Sequence, residues 1–465
     1  MAAEFKIAFV SGKLGDVDGV SLEVDKWIEV LLKEGHEIYS IAGKYTNPVQ
    51  NIKNNNQFLL ENLRFDSTLQ NHYEKMVFPY LTRQPTHLTS GAQDQILEDM
   101  MVKGSELGED IFQIVQDNDI DVIIAQNTNA MPMTLLGGIA VYNLLTKYKV
   151  ATIFHHHDFW WERSRFSQSR IESLLNKIMP PSDLGSEHVV ISSYSAHILS
   201  SIKRVIPTVI PNCENFEETA VMDSYNSHFR EDLGFNEKDI LFIQPTRIVP
   251  RKRIEDSVRL VGMYARNHPE IKERIKFVIS LYQGDELDDS YIGTIKDLAK
   301  SENVDMHLIS ERVSSIRMIN KKGERLYTSR DVLLNANIAL YLPKWEGFGN
   351  AYLEAVSCLI PVVISTYLVY KTDIKCAGFE NIEIRDDYTE EGLLNIPESV
   401  LHKIDLILNN KEKRSSMIKK NFDIGKKEFG FDMLSAKLNS LLDSYSDEIR
   451  ASRRRLQKSK KNYAV

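Results

Sequence analysis

Short apolar runs of strand length alternate with amphipathic stretches along most of the chain, the pattern of parallel sheets covered by helices. Residues 6–10 predict a first buried strand. Val24, Trp27, Ile28 and Leu31 then recur at helical spacing until Gly35 closes the helix, and residues 36–42 predict the next strand. Strands are expected again at 121–125, 150–154 and 188–192, with a helix over 133–148 between the first two of these. A second series begins later, with strands at 240–244, 276–280, 306–309, 338–342 and 362–364 and a helix from 254 to about 267. Beyond about residue 400 the pattern is nearly all helical.

Between the two series, VIPTVIPNCENFEE and the polar stretch after it replace periodicity with turn residues and charge. The expected organisation is an N-terminal Rossmann-like domain over 1–205 and a linker over 206–238. A C-terminal Rossmann-like domain over 239–430, a helix over 431–450 and a basic tail over 451–465 follow. The tail, ASRRRLQKSKKNYAV, reads as a solubilised, frayed end.

Composition narrows the class. The chain has 465 residues, enough for two cores, and 43% apolar content, ordinary for a globular protein. Its 57 Lys and Arg against 65 Asp and Glu give a net charge of −8, which offers no broad attraction to nucleic acid or anionic lipid. Any anion site is therefore local. Cys213, Cys358 and Cys376 show no metal-type spacing and suit buried thiols in a reducing compartment, so a cytoplasmic location is expected. The apolar run near the N-terminus stops at Gly12, too short for a signal or a membrane span.

The densest candidate chemistry lies in the second series. ILFIQPTRIVPRKRIEDSV is a strand, a loop carrying Arg247, Arg251, Lys252 and Arg253, and a helix start, which sets cations where a diphosphate could bind. An exposed basic loop is the plain alternative. IALYLPKWEGFGNAYLEAVSC repeats the strand, loop and helix plan. There Gly347 and Gly349 allow close approach of backbone to ligand, and the amides of Phe348, Gly349 and Asn350 are candidate phosphate donors. Glu346 and Glu354 would be repelled by phosphate, so they suit hydroxyl groups: Glu346 those of a sugar, Glu354 the ribose diol.

In the first series, SGKLGDVDGVS places Gly12, Gly15 and Gly19 after strand one without the G-x-G-x-x-G spacing of a dinucleotide fingerprint. Asp16 and Asp18 read as turn chemistry, and no metal or cofactor is expected. ATIFHHHDFWWERSRF carries His155, His156 and His157 at a strand end, where alternate faces prevent all three from sharing one metal. Asp158 follows on the acceptor side, and Trp160 and Trp161 offer flat faces suited to a sugar ring or to packing. The Arg163 and Arg165 guanidiniums suit a carboxylate or phosphate on an acceptor, unless they pair with Glu162 and other acids.

RIVPRKR followed by WEGFGNAYLEA is similar to the donor-site signature of the retaining glycosyltransferases of family 4 with the GT-B fold. HVVISSYSAHIL and VIPNC match lesser features of that family, with Cys213 where it commonly has glycine. The resemblance spans the chain to about residue 430. It implies two Rossmann-like α/β domains facing across a cleft, with C-terminal helices crossing back to the first domain. It also implies that Arg247 and Lys252 neutralise the leaving diphosphate, that Glu346 and Glu354 grip sugar and ribose, and that the loop at Gly15 approaches the donor phosphate. It calls for a histidine beside the transferred sugar, best matched by His157, with His155 and His156 as alternatives.

The expected reaction moves mannose or glucose from a GDP- or UDP-linked donor to a small soluble anionic acceptor, with domain closure excluding water. A lipid- or polysaccharide-directed transferase, a phosphorylase or epimerase, and a non-catalytic sugar-nucleotide binder are the alternatives. Partners are the small-molecule donor and acceptor alone. Nucleic acid is not expected, and a peripheral membrane contact is not favoured.

Overall fold

The computed structural model describes residues 4–16, 18–79, 89–281 and 289–463. The chain divides into two compact units, one of residues 1–211 and 432–465, the other of residues 212–431.

In the first unit, β1 (Lys6–Ser11), β2 (Glu37–Ala42), β3 (Gln57–Leu59), β4 (Val122–Gln126), β5 (Ala151–His156), β6 (Ser186–Val190) and β7 (Thr208–Val209) form one sheet. Their order is β3-β2-β1-β4-β5-β6-β7, and all pairs are parallel. The central strands are buried throughout because helices cover both faces, which is why they read as continuous apolar runs rather than alternating ones. Gly35 stands at φ 92 just past the helix Gly19–Lys33, where a left-handed residue lets the chain turn into β2.

In the second unit, β8 (Ile240–Gln244), β9 (Ile275–Ile279), β10 (Met306–Leu308), β13 (Ile338–Tyr341), β14 (Val362–Ser365) and β15 (Ile382–Ile384) form a parallel sheet in the order β10-β9-β8-β13-β14-β15. A two-stranded hairpin, β11 (Met318–Ile319) with β12 (Arg325–Leu326), stands apart from it. Both large sheets reverse direction of strand order beside their first strand, so each has a switch point at the carboxyl ends of its central strands, the usual ligand position in open α/β sheets.

Several elements differ from the sequence reading. β3, β7 and β15 were too short for a periodic signal. Residues 208–209 close the first sheet, and residues from 212 onward pack within the second unit; Glu214 N, for instance, donates to Phe429 O at 2.9 Å. The single helix expected over 431–450 is two, Phe431–Ser444 and Ser446–Tyr463. They part at Tyr445, whose hydroxyl takes the Thr152 amide at 3.2 Å and bonds the Gly185 carbonyl.

The basic tail does not fray as far as it is described. Ile449, Ser452 and Leu456 bury one face of its helix, Ser452 Oγ accepts the Ala151 amide at 3.1 Å, and Arg453 forks onto the buried Asp121 carboxylate. Its last two residues lie outside the described ones. Cys213 and Cys358 are buried, but Cys376 is exposed on the 3-10 turn Lys375–Ala377.

Candidate active site

The loop after β8 is ordered from inside. Gln244 donates to Thr246 Oγ1 at 2.8 Å and accepts from Ser257 Oγ at 2.8 Å, which fixes the chain as it leaves the sheet. A 3-10 turn, Pro250–Lys252, then sets Arg251 and Lys252 toward the loop after β13, while Arg253 turns the other way with φ 53. Arg253 bonds Asp256 at 2.8 Å and Gly392 O at 2.9 Å. Its side chain is thus paired away from Glu346, which leaves Arg247, Arg251 and Lys252 as the candidate cations of the loop.

Arg251 and Lys252 converge on Glu346. Arg251 Nη1 lies 2.6 Å from Glu346 Oε1, and Lys252 Nζ bonds the same oxygen. The side chains of Lys252 and Glu346 are 10% and 11% exposed, so the pair is largely desolvated. Burial pushes the Lys252 ammonium down to about 8, against the pull of Glu346, with Arg251 and Arg247 lowering it further. For Glu346 burial favours the neutral acid, but Lys252 and Arg251 outweigh it and hold the carboxyl below its ordinary value. Arg247, half-buried, makes no side-chain hydrogen bond or ion pair among the described residues. Arg251 also lies over the Trp345 ring at 5.3 Å, and Lys252 over the Tyr341 ring at 5.2 Å.

The loop then passes Gly347 and Phe348 to Gly349, which caps the helix Asn350–Ser357 with φ 149. Among the described residues the amides of Phe348, Gly349 and Asn350 have no backbone acceptor. Asn350 Oδ1 accepts from Asn212 Nδ2 at 2.7 Å. Glu354 stands one turn along and accepts from Ser329 Oγ at 2.9 Å. Glu346 thus stands on the loop and Glu354 on the helix that follows it.

In the first unit, the ends of β4 and β5 hold the other predicted residues. Gln126 Oε1 lies 3.2 Å from His157 Nε2, and Asn127 Oδ1 accepts the His157 amide at 3.0 Å. Asn127 Nδ2 donates to Asp158 Oδ1 at 2.8 Å. Sequence reasoning missed Gln126 and Asn127; the signal was an apolar run that ends in two adjacent amides. Burial lowers His157 to about 4, although Asp158 and Asp18 pull it upward, so its ring is neutral at neutral pH.

As strand alternation requires, His156 points away from His155 and His157, whose ring centres lie 4.3 Å apart. His155 stacks on Trp27 at 4.2 Å, and His156 Nε2 meets His188 Nδ1 at 3.0 Å in the interior. His157 is the least enclosed of the three at 8% exposure. Asp158 binds Arg163, with Nε at 3.0 Å, so this pair is internally matched. Arg165 sits on the Phe166 ring and only 3.8 Å from Glu74, with 45% of its side chain exposed. Trp161 stacks on Phe159 at 4.6 Å, and the Trp160 indole donates to Met179 O at 2.9 Å. Gly15 has φ 68, and a Cβ there would meet Asn47 O at 1.9 Å. Asp18 caps the first helix through the Val20 and Ser21 amides, and Lys13 bridges Asp16 and Asp18 at 3.0 and 3.3 Å.

A cation cluster and a glycine loop stand together at the carboxyl ends of β8 and β13. Residues 226–423 match the model of the family described as Glycosyl transferases group 1. The chain is a glycosyltransferase. Mannosylglucosylglycerate synthase of Thermotoga maritima is 29% identical to the glycosyltransferase over 447 residues, covering 92% of this chain and 97% of the relative. The enzyme of the same name from Petrotoga mobilis is 28% identical, covering 86% and 91%. Among solved structures, HepE of Anabaena in complex with UDP-glucose has a TM-score of 0.60 at 12% identity, covering 95% of this chain and all of that one. Sucrose-phosphate synthase of Thermosynechococcus elongatus reaches 0.63 at 13%, covering 95% and 99%. These structures show that the glycosyltransferase has the GT-B fold. Among its described residues no helix is long and apolar enough to cross a membrane.

Proposed function

We propose that the protein is a retaining hexosyltransferase that moves mannose from a nucleoside diphosphate donor, GDP- or UDP-linked, to a small soluble acceptor bearing a glycerate carboxylate. The observation that carries the donor half is the convergence of Arg251 and Lys252 on Glu346, beside Arg247 and the amides that lead into helix Asn350–Ser357. The acceptor class is supported by the names of the two relatives that match nearly the whole chain, both synthases of mannosylglucosylglycerate. Joining a mannosyl group to glucosylglycerate is the reaction those names suggest here.

Arg247 and Lys252 neutralise charge that grows on the departing diphosphate, and the amides of Phe348, Gly349 and Asn350 add donors that need no reorganisation. Glu346 takes sugar hydroxyls and at the same time keeps Lys252 oriented. Glu354 takes the ribose diol. In front-face attack the acceptor oxygen bonds to the anomeric carbon as the bond to the phosphate oxygen breaks, and that oxygen receives the acceptor proton. Neither a protein nucleophile nor a metal or cofactor has a part in this proposal. The neutral His157 ring, steadied by Gln126, donates to or accepts from a hydroxyl of the transferred sugar. Arg165 is the guanidinium with the weaker internal pairing, and it is assigned to the acceptor carboxylate, with Arg163 held by Asp158 and Trp161 presenting its face to the sugar ring.

Thermal melting against a panel of GDP- and UDP-sugars identifies the donor, since a ligand at a hundred times its dissociation constant adds about 2.7 kcal/mol. The matching donor is then supplied with glycerate, glucosylglycerate, glucose phosphate and a lipid acceptor. Transfer to the lipid alone would replace the soluble-acceptor reading.

A further inference from the structure

The floor beneath the glycine loop is made of two tyrosines, Tyr341 and Tyr367. Tyr341, at the end of β13, lies under the Lys252 ammonium. Tyr367, just past β14, meets Tyr341 edge to face with ring centres 6.1 Å apart, and both are 1% exposed. The Tyr367 hydroxyl donates to the Phe348 carbonyl at 2.6 Å in the interior. It also lies 2.5 Å from where a Cβ on Gly349 would stand. The peptide between Phe348 and Gly349 is trans. In a planar trans peptide the carbonyl and the N–H point in opposite directions. A carbonyl drawn onto Tyr367 therefore turns the Gly349 N–H to the opposite side, away from the Tyr367 hydroxyl.

We infer that Tyr367 is a positioning residue for the donor diphosphate: its hydroxyl fixes the orientation of the Phe348–Gly349 peptide and so aims the Gly349 amide at the phosphate. Without that hydroxyl the buried Phe348 carbonyl loses its partner, and the peptide gains a reason to rotate toward another donor. Gly349 makes such a rotation easy, because it has no Cβ to resist it. The device therefore has two parts, a residue that permits the φ 149 conformation and a phenol that selects one face of the peptide. The inference rests on the donor reading given above, since it names what orients one of that reading's phosphate donors.

The test compares Tyr367→Phe with the wild-type chain in binding GDP, UDP, guanosine and uridine by calorimetry. The phenylalanine ring keeps the packing against Tyr341 and loses the hydroxyl, with its bonds to the Phe348 carbonyl and to the Tyr341 side chain. Affinity for the nucleoside diphosphate that binds should fall about tenfold, as one hydrogen bond to a charged group is lost, with nucleoside affinity unchanged. Unchanged diphosphate affinity, or an equal loss for nucleoside and diphosphate, overturns the inference. If neither GDP nor UDP binds the wild-type chain, the donor reading fails first and takes this one with it.

A second measurement needs no variant. Carbonyl-labelled phenylalanine combined with nitrogen-labelled glycine marks only the two Phe–Gly peptides of the chain, 348–349 and 429–430. Added pyrophosphate should move the amide signal of the first and leave that of the second in place. No movement of the first signal overturns the inference even if Tyr367→Phe cannot be folded.

Discussion

Lys252 and Glu346 form an ion pair across two loops, one following β8 and the other β13, with both side chains about nine-tenths buried. Two charges enclosed in this way hold each other's ionisation. The pair therefore links the chemistry of the site to pH.

The kcat/KM profile should show this link on its alkaline side. That profile reports the free enzyme, in which Lys252 titrates at about 8 because burial disfavours its charge. The cation is present below that pH and lost above it, so kcat/KM should fall as pH rises through about 8. Lys252→Arg should remove that limb, since a guanidinium stays charged. Lys252→Ala should cost at least a hundredfold in kcat/KM, about 2.7 kcal/mol of transition-state stabilisation, with the fold retained by circular dichroism.

Acid stability is expected to be set by the first unit's histidines. His157 and His188 are lowered to about 4, and His155 and His156 are lowered as well, all with burial as the leading cause. Between the ordinary value of 6.5 and about 4 the unfolded chain binds the more protons, so stability falls as pH falls through that window. Urea midpoints measured from pH 7 to pH 4 should drop progressively. His188→Gln should flatten part of the drop.

Arg165→Ala should raise KM for a carboxylate-bearing acceptor at least tenfold while leaving donor KM unchanged. One charge-assisted hydrogen bond is worth about 1.5–3 kcal/mol, which sets that scale. Arg163→Ala should lower the melting temperature as well, because it leaves Asp158 with only Asn127 among the partners seen here. Steady-state kinetics with each substrate varied in turn separates the two effects.

Gly349→Ala should both destabilise the chain and weaken diphosphate binding. A left-handed conformation at φ 149 disfavours any side chain, and the new methyl would press on the Tyr367 hydroxyl at 2.5 Å. Strain of this kind costs about 1–3 kcal/mol. Thermal melting with and without the nucleoside diphosphate measures both consequences.

The sequence made the two sheets legible because their central strands are fully buried and therefore continuous in apolar residues, as in residues 122–125 and 338–341. The short outer strands β3, β7 and β15 carry two or three residues each and have no periodicity to detect. Lys252, Glu346 and Gly349 stood out because cations, acids and glycines at strand ends are conspicuous. Tyr367 and Tyr341 did not, since a buried tyrosine looks like any core aromatic until its hydroxyl partner is known. Arg253 misled for the opposite reason. It belongs to the cation run, but its left-handed backbone turns it to Asp256 and away from the rest.

The most direct test of the account is to incubate the purified protein with GDP-mannose or UDP-mannose and glucosylglycerate, and to follow the anomeric proton of the product by NMR. The account predicts a mannosylglucosylglycerate whose new linkage keeps the donor's anomeric configuration, formed by the wild-type chain and lost in Lys252→Ala. A product of inverted configuration would contradict the retaining mechanism. Failure to form any product with either donor, in a protein that binds the nucleoside diphosphate, would contradict the proposed acceptor.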